Sequence, residues 1–416
     1  MRISTVQAFN NGVSGLQRNY SNVIRTQEQI STGNRILTPA DDPVASARLL
    51  QLEQQQGVLG QYKENLTAAK NSQQQEEVTL NSINTVLQRV RDLLVEAGNG
   101  SRSQADRQSI AAELAEREKE LLGLLNTRNA RGEFIFSGFQ GKTQPFVVQP
   151  DGSYIYAGDD GQRELQIASS LQIPISDSGR ALFESGRNAA RLGIAPDNGT
   201  LSGALVDDEV SFARFPAGGI RLEFNDPDDP HSYELIPVDE FGVDGTPIPG
   251  RLNEDDDTLV RYQGVAFHVN GTPDPASIPT AYSVTPPDND PATAPANKAG
   301  ILDTIATVRK ALEEAPDTLE GNRQMRDVVA LGLTNLDNGM TALDQGRGQI
   351  GARLNVIEST LTDNEDVTLV NKAVQAELRE LDYAEALSRL SFQSIILEAA
   401  QQSYVKIAGL NLFSQM

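Results

Sequence analysis

The chain has no cysteine and no tryptophan, and only two of its 416 residues are histidine. Without cysteine it has no disulfides, thiolate nucleophiles or cysteine-ligated zinc sites. Hydrophobic residues make up 38% of the sequence and aromatic residues 5%, a low share for a globular protein. No run approaches the roughly 20 apolar residues that cross a bilayer. We therefore expect thin cores or exposed helices, and no membrane partner.

The sequence is strongly acidic, with a formal net charge of −22. Phosphates repel such a surface, so nucleic acid is not an expected partner. The length predicts two or three domains. The opening MRISTVQAFNNG has one basic residue and no continuous apolar core, so it does not resemble a secretory signal. An extracellular location would require export without a cleaved signal peptide.

Heptad spacing of apolar residues dominates both ends of the chain, and it predicts long helices that each bury a narrow seam against another helix. The predicted N-terminal assembly seam consists of Val6, Phe9, Val13, Leu16, Tyr20, Val23 and Ile30. The predicted C-terminal assembly seam consists of Leu378, Leu381, Leu387, Leu390, Ile395, Leu397 and Tyr404. Between them, a predicted bundle seam consists of Leu52, Leu59, Leu66, Leu80, Leu87, Leu94, Val329, Leu336, Leu343, Ile350 and Ile357, with Gln73 in the gap of the first series.

Capping residues predict where these helices begin and end. Gly33 is expected to stop a first helix that runs from about 4 to about 32. Asp42 and Pro43 are a favourable N-cap and first residue for a second helix. Ser103 and Asp106 predict a capping box for a third helix, which should stop at Gly132. We expect the last two long helices at about 322–362 and 367–408.

The middle of the chain has a different character. The stretch from Gly132, including GEFIFSGF and PFVVQPDGSYIYAGDDGQRELQI, predicts two or three hairpin strands. Residues 201–300 hold 13 of the 20 prolines, with 18 acidic and 5 basic residues, and predict a small all-β domain with an acidic surface.

The predicted fold class is mainly α with a β insertion. It is a long antiparallel helical bundle from both chain ends, with a β-hairpin extension and a small all-β middle domain. The expected domains are 1–42 with 365–416 as paired terminal helices, 43–180 with 299–364 as a helical bundle with a β-hairpin, and 181–298 as a variable, surface-exposed β domain. A protein whose terminal helices pair with each other and whose middle domain is exposed is more typical of a structural subunit than of an enzyme.

Chemical motifs are scarce. His231 lies near Asp226, Asp228 and Asp229, which admits a metal site, but the neighbouring prolines and the spacing favour a turn. His268 alternates with apolar residues and is expected on a strand. The sequence has no Gly-x-Ser-x-Gly elbow, phosphate loop or dinucleotide fingerprint. We predict no catalytic, cofactor-binding or metal-binding residue, and no enzyme activity.

Three segments together resemble one family. Residues 29–44, QISTGNRILTPADDPV, resemble the N-terminal region of the flagellin superfamily. Within them, Thr38-Pro39 and Asp41-Asp42-Pro43 resemble the hook-filament junction proteins of that superfamily. GEFIFSGF followed by Gln144-Pro145-Phe146, and the ending LEAAQQSYVKIAGLNLF, are similar to the same proteins.

The resemblance implies a structural subunit at the hook-filament junction. Helices from both chain ends would stack with sister copies around a tubular axis, a second bundle would form the next layer, and the β domain would face solvent. The implied partners are further copies of the chain, hook-associated protein 1 on the hook side, flagellin on the distal side and a flagellar export chaperone. It also implies type III export to an extracellular position.

Three other functions stay open at this point. A filament flagellin shares the helical ends. A coiled-coil tip or translocator protein of a type III secretion system would also be exported without a signal, although it should contact membranes. An enzyme on the acidic β domain would depend on His231 and its carboxylates.

Overall fold

The computed structural model describes residues 2–99, 103–254, 256–287 and 297–413, and within helical segments it describes side chains only for residue 7 and residues 9–406. The chain forms two compact units. Unit 1 comprises Met1–Leu66 and Glu358–Met416, and unit 2 comprises Thr67–Ile357. The predicted fold class is confirmed: long helices occupy both ends, and small antiparallel sheets occupy the centre.

Helices account for most of the described chain. They are α1 (Arg2–Thr32), α2 (Pro43–Ala97), α3 (Gln104–Leu125), α4 (Gly179–Phe183), α5 (Glu209–Phe212), α6 (Ile301–Glu314), α7 (Leu319–Arg379) and α8 (Tyr383–Phe413). None of the helices among the described residues is long and apolar enough to span a membrane.

The beginning of α3 follows the predicted capping box, whereas its end does not follow the prediction. Ser103 accepts a hydrogen bond from the Asp106 amide, and the Asp106 carboxylate accepts one from the Ser103 amide. The helix ends at Leu125 rather than near Gly132. It stops early because the side chain of Asn126 pairs with the backbone of Phe146, over 3.1 Å to its amide and 3.0 Å to its carbonyl.

The predicted break between the last two long helices, near residues 363–366, is wrong. Helix α7 continues through that acidic stretch to Arg379. Asn364 and Asn371 extend the seven-residue series from Ile357 and are both buried, so the helix keeps one inward face with polar side chains on it. The break lies at residues 380–382, where the side chain of Asp382 caps α8 by accepting from the amides of Ala384 and Glu385.

The strands form five small antiparallel sheets within the described residues. They are β1 (Phe146–Val148), β2 (Tyr154–Tyr156), β3 (Glu164–Ala168), β4 (Leu171–Pro174), β5 (Gly186–Arg187), β6 (Gly193–Ala195), β7 (Leu201–Val206), β8 (Ile220–Phe224), β9 (Ser232–Pro237), β10 (Ile248–Arg251), β11 (Thr258–Tyr262), β12 (Val265–Val269), β13 (Thr280–Thr285) and β14 (Lys298–Ala299).

The segment GEFIFSGF forms no regular strand, contrary to the prediction. Phe134, Ile135 and Phe136 are nevertheless buried. The chain turns tightly here: the amide of Phe134 bonds to the carbonyl of Gly141 and that of Ile135 to Thr127. Its apolar side chains enter the helical core from a loop. Phenylalanine and isoleucine favour strands, but here they are buried without forming one.

The core of unit 2 lies between α2, α3, α6 and α7. Leu87, Leu94, Leu336 and Leu343 are completely buried in it, and the ring of Phe136 joins them. These leucines recur every seven residues along α2 and α7, which is the spacing that keeps one helix face turned toward a partner.

The β domain, defined here as residues 186–299, has its own core. A five-stranded sheet of order β10-β9-β8-β13-β6 and a three-stranded sheet of order β11-β12-β7 contribute its buried side chains. Phe224 and Phe267 are completely buried there. The first strand of the domain, β5, pairs with its last strand, β14, placing Gly186 opposite Ala299.

Candidate assembly surface

Helices α1 and α8 pack against each other in unit 1. The rings of Phe9 and Tyr404 lie 5.3 Å apart between centroids. The Thr26 hydroxyl donates to the Gln393 side-chain oxygen over 2.8 Å, and both this threonine and Gln29 are buried. The first and last helices of the chain therefore form a pair, with polar contacts toward one end and an aromatic contact toward the other.

The connectors of this pair are bonded to each other. The Arg35 amide donates to the Arg379 carbonyl over 2.7 Å, and the Leu381 amide donates to the Gly33 carbonyl over 3.0 Å. Gly33 has φ of 71°, a left-handed value that glycine adopts without strain. A Cβ at this position would lie 2.9 Å from the Tyr383 hydroxyl. This glycine therefore meets both a conformational and a spatial requirement.

Asp41 organises the connector between α1 and α2. Its carboxylate accepts from the amides of Leu37 and Thr38, each over 2.9 Å, from the Thr38 hydroxyl, and from Arg25. These contacts, led by the Thr38 amide, hold the pKa of the Asp41 carboxyl below its usual value. Asp42 caps α2 by accepting from the Ala45 amide over 3.0 Å. Sequence reasoning assigned the cap but gave Asp41 no role.

The residues of the predicted N-terminal assembly seam are only partly covered. Phe9 is 47% and Tyr20 59% exposed. The side chains of Val13, Leu16, Val23 and Ile30 are half-buried. The side chain of Val6 lies outside those that the structure describes.

The predicted C-terminal assembly seam shows the same incomplete burial. Leu381 is buried. Leu387 is 54% and Ile395 is 63% exposed. The remaining members are half-buried; they are Leu378, Leu390, Leu397 and Tyr404.

Several further apolar side chains on α1 and α8 face solvent. Phe392 is 69% exposed, and Ile395 and Ile396 lie three and four positions beyond it, on the same side of the helix. We call the exposed set the terminal apolar face; it consists of Phe9, Tyr20, Ile24, Leu387, Phe392, Ile395, Ile396 and Val405. Exposed apolar side chains also occur on α2 and α7, for example Leu369 at 68%. Neighbouring ones on one side of a helix, as on α8, are the pattern expected of an interaction surface.

The predicted bundle seam is buried almost throughout. Leu59 is half-buried, and its carbonyl accepts from the Asn364 side chain over 2.9 Å. The other members are each at most 8% exposed; they are Leu52, Leu66, Leu80, Leu87, Leu94, Val329, Leu336, Leu343, Ile350 and Ile357.

Neither histidine belongs to a cluster of metal ligands in the part of the chain that the structure describes. His231 is within 3.2 Å of the Thr272 hydroxyl, and His268 on β12 lies 3.4 Å from Asp327. Among the described residues, no group of three or more His, Asp or Glu side chains is arranged to hold a metal ion.

Comparison with known proteins agrees with this arrangement. Residues 3–141 match the bacterial flagellin N-terminal helical region, and residues 333–416 match the bacterial flagellin C-terminal helical region. The flagellar hook-associated protein 3 of Salmonella typhimurium is 30% identical over 224 residues, which are 54% of this chain and 70% of the relative. The chain belongs to the flagellar hook-associated protein 3 family.

A second relative and a solved structure are also similar to the chain. Flagellar hook-associated protein 3 of Escherichia coli is 29% identical over 220 residues, 52% of this chain and 68% of the relative. The crystal structure of flagellar hook-associated protein 3 from Legionella pneumophila covers 79% of this chain and 98% of its own length, with a TM-score of 0.62 and 22% identity, which shows the shared fold. The chain is therefore a structural protein of the external bacterial flagellum, of the hook-filament junction class.

Proposed function

We propose that the chain joins the hook side of the flagellum to the flagellin filament by helical self-assembly, through its paired terminal helices. The observation that carries this proposal is the terminal apolar face on α1 and α8. A folded chain with no further partner would leave these side chains in water.

The energetics require several exposed side chains to be covered together. A large apolar side chain contributes about 1.5–3 kcal/mol when it is fully buried. Association costs roughly 4–15 kcal/mol in lost translational and rotational freedom. A single exposed residue cannot offset that cost, whereas several covered together can. Copies packed side by side around an axis would cover the two assembly seams at once.

We assign three parts of the chain to three layers. Residues 1–42 and 365–416 are the polymerisation core, residues 43–180 and 299–364 are a supporting bundle with its β-hairpin, and residues 181–298 face the surroundings. Because α7 runs to Arg379, the part of the core from residue 365 onward consists of the end of α7 followed by α8, and the terminal apolar face lies on α8 and its partner α1. The β domain carries much of the acidic charge, which suits an outward position.

The proposed partners follow from this placement. Further copies of the chain pack laterally, hook-associated protein 1 contacts the hook side, and flagellin contacts the distal side. An export chaperone covers the apolar helices before assembly, and the chain reaches the extracellular flagellum by flagellar type III export. The role is structural, without enzyme activity, cofactor or metal.

Deletion of the gene tests the junction role. We expect intact hooks and flagellin secreted without being polymerised into filaments, because the filament has no base to grow on. Immunogold labelling then separates junction from filament. Label confined to one end supports the proposal, and label along the whole filament would favour a filament flagellin. Normal filaments in the deletion strain would contradict the proposed function.

A further inference from the structure

A short irregular segment, residues 175–178, is buried in unit 2 directly after β4. Ser176, Asp177 and Ser178 are each at most 5% exposed. The residue before it, Pro174, accepts a hydrogen bond at its carbonyl from the Gln73 side chain of α2 over 2.9 Å. A buried segment without regular structure depends on other groups to satisfy its polar atoms. Here α2 and α7 supply part of them, and Arg163 contributes its carbonyl to the Ile175 amide over 2.7 Å.

Asp177 is fully paired. Arg353 of α7 donates to both carboxylate oxygens, over 2.7 and 3.0 Å. Gln162 donates to Oδ1 over 2.6 Å. This geometry is a two-pronged ion pair with an additional amide contact, so the charge of Asp177 is neutralised by Arg353.

A second ion pair lies beside the first. Arg163 donates to Glu133 over 2.8 Å, and its own amide donates to the Ser176 hydroxyl over 3.3 Å. Arg131 lies 3.6 Å from the same Glu133 oxygen, but its side chain is 69% exposed. The guanidinium groups of Arg353 and Arg163 are therefore each paired with a carboxylate other than Glu76.

Glu76 on α2 is the third carboxyl group of the cluster and has no cation of its own. It is 2% exposed, and its Oε1 atom has no hydrogen-bond partner. The Asp177 amide donates to it, while the Asp177 carboxylate repels it. Glu133 is 32% exposed and is approached by both Arg163 and Arg131, whereas Glu76 is buried beside an Asp177 that is already paired with Arg353. A buried carboxylate without an ion pair is strongly destabilising.

We propose that Glu76 is a proton-binding site that couples the docking of segment 175–178 on α2 and α7 to pH. Glu76 carries a proton while the segment is docked and ionises when the segment leaves. At high pH the docked and undocked states become closer in free energy, and the segment opens more often.

The electrostatics agree with the geometry. Burial, followed by repulsion from Asp177, raises the pKa of Glu76 to about 8, although Arg353 and Arg163 act in the opposite direction. Because the pKa of the folded state exceeds that of the unfolded state, the contribution to stability is fully present below the ordinary glutamate pKa of 4.5 and is lost as pH rises through about 8.

The space beside Glu76 is small. The cavity there measures about 20 Å³ and is bordered by Gln75, Arg131 and Arg163. One water molecule needs roughly 10–15 Å³, which is less room than the several waters around a free carboxylate require. Ile175 and Ser176 also line this cavity, so displacement of segment 175–178 would widen it.

Hydrogen exchange on the full chain tests the proposal. Amide exchange is followed for peptides covering residues 170–182 between pH 6 and pH 9, after correction for the intrinsic pH dependence of exchange. We expect protection to fall on the order of tenfold to a hundredfold over this range, given a folded-state pKa of about 8. In Glu76→Gln, which keeps the shape but cannot ionise, protection should stay level. Exposed Glu64 lies on the same helix, and Glu64→Gln should behave as the unmodified chain.

A second measurement keeps the test independent of that variant. Infrared difference spectra between the unmodified chain and Asp177→Asn at pH 7 should show loss of a protonated-carboxyl band, because freed Arg353 then stabilises the Glu76 anion. The proposal is overturned if corrected protection of the unmodified chain is constant from pH 6 to pH 9, or if Glu76→Gln loses protection in parallel with it.

Discussion

Arg323 on α7 holds Asp257 of the β domain with two hydrogen bonds, Nε to Oδ2 over 2.9 Å and Nη2 to Oδ1 over 2.6 Å. Arg326, one helical turn further, donates to the same Oδ2 over 2.7 Å. Both arginines and the aspartate are largely shielded from solvent. One carboxylate therefore links the β domain to the long helix through two cations.

Asp257→Asn is expected to lower the free energy of unfolding by about 2–3 kcal/mol, because it leaves two partly buried guanidinium groups without their anion. Urea unfolding monitored by circular dichroism measures the change. Asp256→Asn is the matched control, since Asp256 is exposed and its loss should change stability by less than about 0.5 kcal/mol. Equal losses in both variants would contradict a specific role for Asp257.

Acid should weaken the same attachment. Burial opposes ionisation of Asp257 and Asp327. Hydrogen bonds from Arg323 and Arg326 to the first, and the close approach of His268 with hydrogen bonds from Arg326 and Ser202 to the second, nevertheless hold both pKa values below the ordinary aspartate pKa of 3.8. Since the folded-state pKa values are depressed, this stability is present above about pH 4 and is lost as pH falls through the folded-state values.

Scanning calorimetry from pH 5 down to pH 2 provides the check. The Tm of the transition that contains the β domain should fall, and it should fall less steeply in Asp257→Asn. A Tm that declines equally in both chains would place the acid sensitivity elsewhere.

Gly33→Ala is expected to destabilise unit 1 by about 1–2 kcal/mol, because alanine is strained at positive φ. The new methyl group would also press on the Tyr383 hydroxyl, 2.9 Å away. Gly57→Ala is the control: Gly57 lies inside α2, and no neighbouring atom lies within 4 Å of the position that a Cβ would take, so alanine there should stabilise by up to about 1 kcal/mol. Urea titrations should show a lower free energy of unfolding for Gly33→Ala and an equal or higher one for Gly57→Ala.

Ile395→Asp should impair assembly without unfolding the chain. Ile395 is 63% exposed, so the isolated protein should change stability by less than about 0.5 kcal/mol. A charge at the proposed contact should reduce the fraction of hooks that carry filaments by at least about tenfold, the equivalent of 1.4 kcal/mol. Electron microscopy of deletion cells complemented with the variant counts hooks with filaments and hooks without them.

Val210→Asp serves as the comparison. Val210 is 82% exposed and lies on α5 of the β domain. Normal assembly of this variant alongside failure of Ile395→Asp supports the terminal apolar face, whereas normal assembly of both would argue against it.

Heptad spacing predicted the buried leucines of α2 and α7 because a helix fixes, from sequence alone, which side chains share a face. It also indicated that Gln73 interrupts the series, but only the fold shows that its amide meets the carbonyl of Pro174. The end of α7 was predicted wrongly because asparagine is typical of loops, whereas Asn364 and Asn371 occupy buried positions that continue the heptad series.

The remaining misses depend on contacts distant in sequence. The break after Arg379 is held by a bond from Leu381 to Gly33 and one from Arg35 to Arg379, each between residues more than 340 positions apart. The early end of α3 depends on Phe146. Glu76 looks like any surface glutamate of a long helix, and only the packing of segment 175–178 over it reveals its burial. Local patterns carry no information about such contacts.

The pairing of β5 with β14 has a consequence for how this protein can change. Gly186 and Ala299 face each other, so the chain leaves the helices and returns to them at neighbouring positions. The segment between these two residues can therefore become longer or shorter, or be replaced by a different domain, while α4 and α6 keep their spacing. The same position suits both natural insertions and engineered ones.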